Sequence, residues 1–299
     1  VFVLPLAADS LDDARAAFQA KDAAKLIAAA RAGLEHANGA ELHNLLGKGY
    51  AMSGDMDKAV PELESAVRLQ PDNEAFHFDL AQLLFYKQDF AKAVTVLENA
   101  NKRFPQSAQI ELALGVAYYG QRRFEETIQA FLKTIDLAPE VPQPYIFLGK
   151  MLEHAGSHMQ EITAKFAAWQ KIDPANAVAP LLHARALIAQ LPPSGWDEMA
   201  REAQTLLEKS IALNGDSSEA YFELGCLMDR KHEFPKAAEL LEKSIAMNAR
   251  DPAAHYRLAR VYDRLGKKEQ ADAERALHAK LSEQEKQDLT RRAAGGMSR

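Results

Sequence analysis

The sequence predicts an all-α solenoid of about eight antiparallel helix hairpins, on three observations. A Leu followed by a small residue recurs at Leu46-Gly47, Leu80-Ala81, Leu114-Gly115 and Leu148-Gly149, a step of 34 each time, and again at Leu224-Gly225 and Leu258-Ala259. Within each unit the apolar positions step by three and four, the helical period. Chain-reversing residues fall midway through the units: Gly54, Gly266 and the polar pairs Gln88-Asp89 and Arg122-Arg123. A hairpin of this length cannot bury its apolar face alone, so repetition implies stacking.

Each column has a packing reason. Gly or Ala at the small position lets the two helices of a hairpin approach closely. Three residues later a large side chain fills the space between hairpins: Tyr50, Leu84, Tyr118, Leu152, Met228 and Tyr262. Twelve residues after the small position the second helix begins its own columns. They read Ala59, Ala93, Thr127, Ala237 and Ala271, then Leu63, Leu97, Phe131 and Leu241, then Ala66, Ala100, Thr134 and Ser244. Pro71, Pro105 and Pro139 close the early units. Each buried large side chain contributes roughly 1.5–3 kcal/mol, whereas helices this short are marginal on propensity alone.

Gly149 and Gly225 are 76 residues apart, two periods plus eight. One extra residue lies in the turn near Gly156-Ser157, ahead of the columns Ile162, Phe166 and Trp169. The other seven separate Ala184 from Ala203, around 190–197, where Pro192, Pro193 and Gly195 must break the helix. Trp196 in this insertion reads as a plug against the adjacent hairpin, with a docking role as the alternative.

At the ends the period fades. Residues 9–39 form an irregular alanine-rich hairpin stopped by Asn38-Gly39. A polar helix runs from Lys267 to about Arg292, a cap for the stack; residues 283–299 are its end and a fraying tail. The array spans 40–282 in seven units, with no internal domain boundary expected. Residues 1–8, apolar and ending Leu6-Ala7-Ala8, resemble the tail of a secretory signal, which predicts a periplasmic or secreted protein. A buried strand-like segment or an early-starting first helix is the alternative, with a cytoplasmic location.

Composition narrows the function. The net charge is −6, which disfavours a nucleic-acid binder driven by phosphate neutralisation. The single cysteine, Cys226, excludes an intrachain disulfide or a two-cysteine metal site. No apolar run approaches the roughly 20 residues of a membrane span. There is no phosphate loop, dinucleotide fingerprint or nucleophile elbow. His154 and His158 have ligand spacing, but Gly156-Ser157 puts a turn between them, so no metal is expected. Arg230 lies one turn from Cys226 and could activate it, yet a quiet, partly buried thiol is the preferred reading. No catalytic residue and no cofactor are expected.

These columns, clearest in His43-x-x-Leu46-Gly47-x-x-Tyr50, Ala59-x-x-x-Leu63-x-x-Ala66 and Pro71, resemble the tetratricopeptide repeat family over about residues 40–280. The Trp that often opens the family pattern is absent; His43, His77, Tyr145, Tyr221 and His255 stand there. The resemblance implies a right-handed superhelix whose concave wall is lined by the first helix of each hairpin. It also implies a non-catalytic scaffold or adaptor that binds a peptide segment of a protein partner in that groove. An accessory subunit docking an enzyme or envelope complex through 190–197 or the convex face is the alternative. Residues one turn either side of the small position would face the groove. They are Phe78, Gln82, Phe85, Tyr86, Leu112, Tyr119, Ile146, Lys150, Phe222, Arg230, Tyr256, Arg260 and Arg264. Phe85, Tyr86 and Tyr119 are the expected anchors, since aromatic and Arg side chains dominate binding energy. Lys48 and Lys150 match the lysines with which some family members clamp a chaperone C-terminus. Gln82 and Val116 interrupt that set and the paired asparagines are missing, so no chaperone clamp is expected.

Overall fold

A computed structural model describes residues 4–192 and 198–295, with side chains for 9–192 and 198–291. Trp196, most of the 190–197 insertion and the tail beyond Gly295 lie outside the described residues. Every described element is helical. The chain forms two compact units, Val1–Pro144 and Tyr145–Arg299, where the periodicity predicts one continuous array. No described helix is long and apolar enough to cross a membrane.

The first unit holds four hairpins: α1 (Leu4–Gln19) with α2 (Ala23–His36), α3 (Ala40–Met52) with α4 (Met56–Leu69), α5 (Glu74–Tyr86) with α6 (Phe90–Arg103), and α7 (Ala108–Gly120) with α8 (Phe124–Leu137). Each helix packs on the next in chain order, and α1, α3, α5 and α7 also touch in succession. The first helices thereby form one wall. Residues 4–8 of the stretch read as a signal tail belong to α1.

The second unit holds α9 (Gln143–Lys150), α10 (Met159–Ile172), α11 (Val178–Gln190), α12 (Glu198–Leu213), α13 (Ser218–Arg230), α14 (Phe234–Met247), α15 (Pro252–Arg264) and α16 (Lys268–Gly295). The fourth hairpin departs from expectation. Its first helix stops at Lys150, and two 3₁₀ turns, Leu152–His154 and Gly156–His158, lead into α10. One inserted residue rotates a 3.6-residue helix out of register, and breaking the helix relieves the mismatch.

The turn chemistry explains the 34-residue step. The backbone N–H groups of Asp55, Asp89, Arg123, Glu233 and Lys267 donate to the carbonyls of Tyr50, Leu84, Tyr118, Met228 and Tyr262, at 2.9–3.0 Å. This is the six-to-one closure of a helix C-terminus, and it needs a left-handed residue just before the donor. Gly54 (φ 84°) and Gly266 (φ 72°) supply it freely, while Gln88, Arg122 and His232 adopt φ of 58–64°. Asp55 and Asp89 then cap α4 and α6 by accepting from Lys58 N and Lys92 N.

The small column works as a contact. A Cβ on Gly47 would lie 2.7 Å from Leu63, one on Gly115 2.6 Å from Phe131 and one on Gly225 2.8 Å from Leu241, each on the second helix of the same hairpin. Gly149 meets Leu182 of α11 instead, at 2.5 Å, another consequence of the truncated α9. The columns beneath are buried, with Leu63, Leu97, Phe131 and Leu241 at the centres of the hairpins. His77 and His255 are buried among them; His255 Nδ1 and Glu274 Oε2 are 2.5 Å apart, as His43 and Glu62 are at 2.6 Å.

Candidate functional site

The wall made by α1, α3 and α5 carries an open hollow of about 620 Å³. Phe18 of α1, Met52 of α3, Met56 and Leu63 of α4, and Leu83 and Tyr86 of α5 make it apolar. Gly54 in the hairpin turn lines it as well. Tyr86 is 72% exposed, and Phe18 and Met52 are about 40% exposed, although most aromatic side chains among the described residues are covered. A second hollow of about 520 Å³ shares Phe18, Lys48 and Asp79 with the first. The rest of its lining is mixed, with Arg15, Glu41, Asn44, Gln70 and Asn73 beside the apolar Leu45, Ala75 and Phe76.

An ion pair divides the two hollows. Lys48 Nζ lies 2.7 Å from Asp79 Oδ2, and Asn44 Nδ2 donates to the same oxygen at 2.8 Å. The ammonium also sits 5.2 Å from the centroid of the Phe18 ring. Arg15 faces Glu41 in a two-pronged contact, both distances 2.7 Å. Every charged side chain lining these hollows thus has an opposite charge beside it.

The anchors expected from sequence separate into two groups. Gln82, Tyr86 and Tyr119 are exposed on the wall, with the Tyr119 ring 6.3 Å from Phe124. Phe78 and Phe85 are half-buried and pack onto the hydrophobic core; the Phe85 ring lies 6.2 Å from Phe90. They form the floor of the wall, because one position along a helix rotates a side chain by about 100°. Leu112 is half-buried.

In the second unit, Ile146 and Lys150 are exposed on the short α9, and Phe222 packs onto the core. The arginines expected to await a partner have internal contacts. Arg264 Nη1 bonds Asp229 Oδ1 and its guanidinium lies 5.3 Å from the Phe234 ring centroid. Arg230 Nη2 donates to Pro192 O. Arg260 stands 5.8 Å from the ring of Tyr256, itself 44% exposed. Arg185 Nε is 3.2 Å from Glu223, whose carboxyl is nonetheless pushed above the usual carboxylate range, by burial first and with Arg185 opposing. Burial also pushes the Cys226 thiol up to about 12, so Arg230 does not activate it. His154 and His158 approach Glu153 and Glu161 at 3.4 and 3.7 Å. Among the described residues no group of three His, Cys, Asp or Glu is placed to hold a metal.

Sequence reasoning missed Phe18 and Asp79. Phe18 lies in the hairpin outside the clear period. Asp79 had a signal: opposite charges recur 30 or 31 residues apart at Lys48/Asp79, Asp57/Lys87 and Asp72/Arg103, and each pair closes across neighbouring hairpins at 2.7 Å.

The tetratricopeptide repeat family matches residues 40–73, 78–142 and 227–282, together just over half of the chain. No curated protein matches the sequence. Among solved structures, the C-terminal part of a TPR repeat-containing protein from Cytophaga hutchinsonii is 19% identical, with a TM-score of 0.65, over 83% of this chain and 99% of that one. YrrB, described as a TPR protein with an unusual peptide-binding site, is 16% identical, with a TM-score of 0.51, over 64% and 95%. A chain of the APC/C hetero-tetramer Cut9–Hcn1 is 14% identical, with a TM-score of 0.53, over 91% of this chain and 52% of that one. The chain therefore spans about half the length of that relative. Identities this low carry the fold alone.

Proposed function

Because the chain belongs to the tetratricopeptide repeat family, we propose that it is a non-catalytic scaffold holding a peptide segment of a partner protein against the α1–α3–α5 wall. The observation that carries this reading is Tyr86, 72% exposed at the rim of an apolar hollow. An aromatic ring left in water beside Met52 and Phe18 exposes surface that a monomer gains by covering. Rigid aromatic side chains at such rims supply a large share of interface energy.

The test is a random-peptide display library selected on the full chain, followed by fluorescence anisotropy with the enriched peptide. Tyr86→Ala should weaken that peptide at least about tenfold, the scale of a hot-spot residue. The thermal midpoint should hold, since so exposed a side chain contributes little to folding. Equal affinity in the variant, or no enriched peptide at all, would overturn the reading.

A further inference from the structure

We infer that Asp79 sets the class of ligand by neutralising Lys48, so that the wall takes an uncharged segment with one large apolar side chain and refuses acidic ones. This inference rests on the proposed peptide-binding role of the wall. Lys48 stands between the two hollows, with its side chain 28% exposed, and would otherwise be the cation that meets a partner there. Its ammonium is already matched by Asp79, which Asn44 holds in place through a hydrogen bond to the same oxygen. An incoming carboxylate would have to leave water and then compete with Asp79 at 2.7 Å for one ammonium, while meeting the Asp79 charge itself. Burying a charge without its own counter-charge is costly. A partner ammonium fares no better, because Asp79 is already spoken for.

The remaining lining has a matching chemistry. Met52 and Met56 are unbranched and polarisable, and they adapt to more than one apolar shape. Phe18 and Tyr86 flank them with flat faces. The hollow has room for any single Leu, Met, Phe or Trp side chain. On the other side of the ion pair, Gln70 and Asn73 place neutral amide side chains at the second hollow, suited to peptide backbone or uncharged polar side chains.

The experiment extends the same display selection to Asp79→Asn, which keeps the shape and removes the charge, and to Lys48→Met, which removes the cation. Each enriched peptide is then remade as a pair differing by Gln or Glu next to its apolar anchor. On the wild-type chain the Glu member should bind at least about fivefold more weakly than the Gln member. On Asp79→Asn the order should reverse, and the Glu member should weaken steeply as salt is raised, because an unscreened ion pair now carries it. Lys48→Met should keep the wild-type preference for Gln. Circular dichroism and thermal melting verify that the variants fold. If Asp79→Asn does not fold, Lys48→Met decides alone: a preference for Glu on either it or the wild-type chain overturns the inference. A wild-type preference for Glu, or the same preference in Asp79→Asn as in wild type, overturns the role of Asp79 while Tyr86→Ala still reports on the wall. A wild-type chain that enriches no peptide overturns both.

Discussion

The phenol of Tyr118 on α7 donates a 2.9 Å hydrogen bond to the carboxylate of Glu98 on α6, across the junction of two hairpins. Tyr262 on α15 does the same to Glu242 on α14, at 2.8 Å. One side chain of the large column thus fills the space between hairpins and pins their register. Burial, and then the bond to Glu98, push the Tyr118 hydroxyl up to about 12; the Tyr262 hydroxyl is raised for the same reasons. A folded-state value above the unfolded one, about 10, means that the stabilisation is complete below that pH and is lost as pH rises through the folded value. Unfolding midpoints should therefore fall as pH climbs from about 10 toward 12. Phenolate absorbance should show a late-ionising tyrosine that Tyr118→Phe removes. At neutral pH, Tyr118→Phe should cost about 1 kcal/mol in urea unfolding, since the half-buried Glu98 can still reach water. An unchanged alkaline titration in the variant would contradict this assignment.

Glycines of two kinds should respond differently to a methyl group. At Gly115 the new Cβ would stand 2.6 Å from the fully buried Phe131 ring. Gly115→Ala should destabilise by about 1–3 kcal/mol, the usual cost of overpacking. Gly215 lies in a loop with nothing within 4 Å of such a Cβ, so Gly215→Ala should stay within about 0.5 kcal/mol of wild type. Equal losses in urea unfolding would mean that close helix approach is not what the small column provides.

The left-handed turn position offers gains. Gln88, Arg122 and His232 adopt the backbone shape that Gly54 and Gly266 adopt without a Cβ. The left-handed region costs an L-residue about 1–2 kcal/mol, and glycine gives back part of that in chain entropy. Each of Gln88→Gly, Arg122→Gly and His232→Gly should raise stability by about 0.5 kcal/mol. The triple variant should melt several degrees higher. A lower melting temperature in all three would show that these side chains stabilise the turn by contacts worth more than the strain.

The repeat, its two helix columns and its hairpin turns were legible because each is a local property. Within a unit, an offset of 16 residues places Gly47 over Leu63 and Gly115 over Phe131, the 34-residue step repeats that geometry, and burial at those positions demands the residue types seen. The same spacing located the irregular fourth unit, though not that Lys150 would end its helix and two 3₁₀ turns would follow. With the helix cut short, Gly149 faces Leu182 of another hairpin, a neighbour that the spacing does not specify. Only the tertiary structure separated Tyr86, in water, from Phe85, on the core, because a rotation of one residue decides which neighbour covers a ring. It alone brought Phe18 to Lys48, and Asp79 to both Lys48 and Asn44. A periodic pattern specifies which face of a helix is apolar. Which charges meet across two hairpins, and whether an arginine such as Arg264 is left for a partner or used by Asp229, follows from how the hairpins stack.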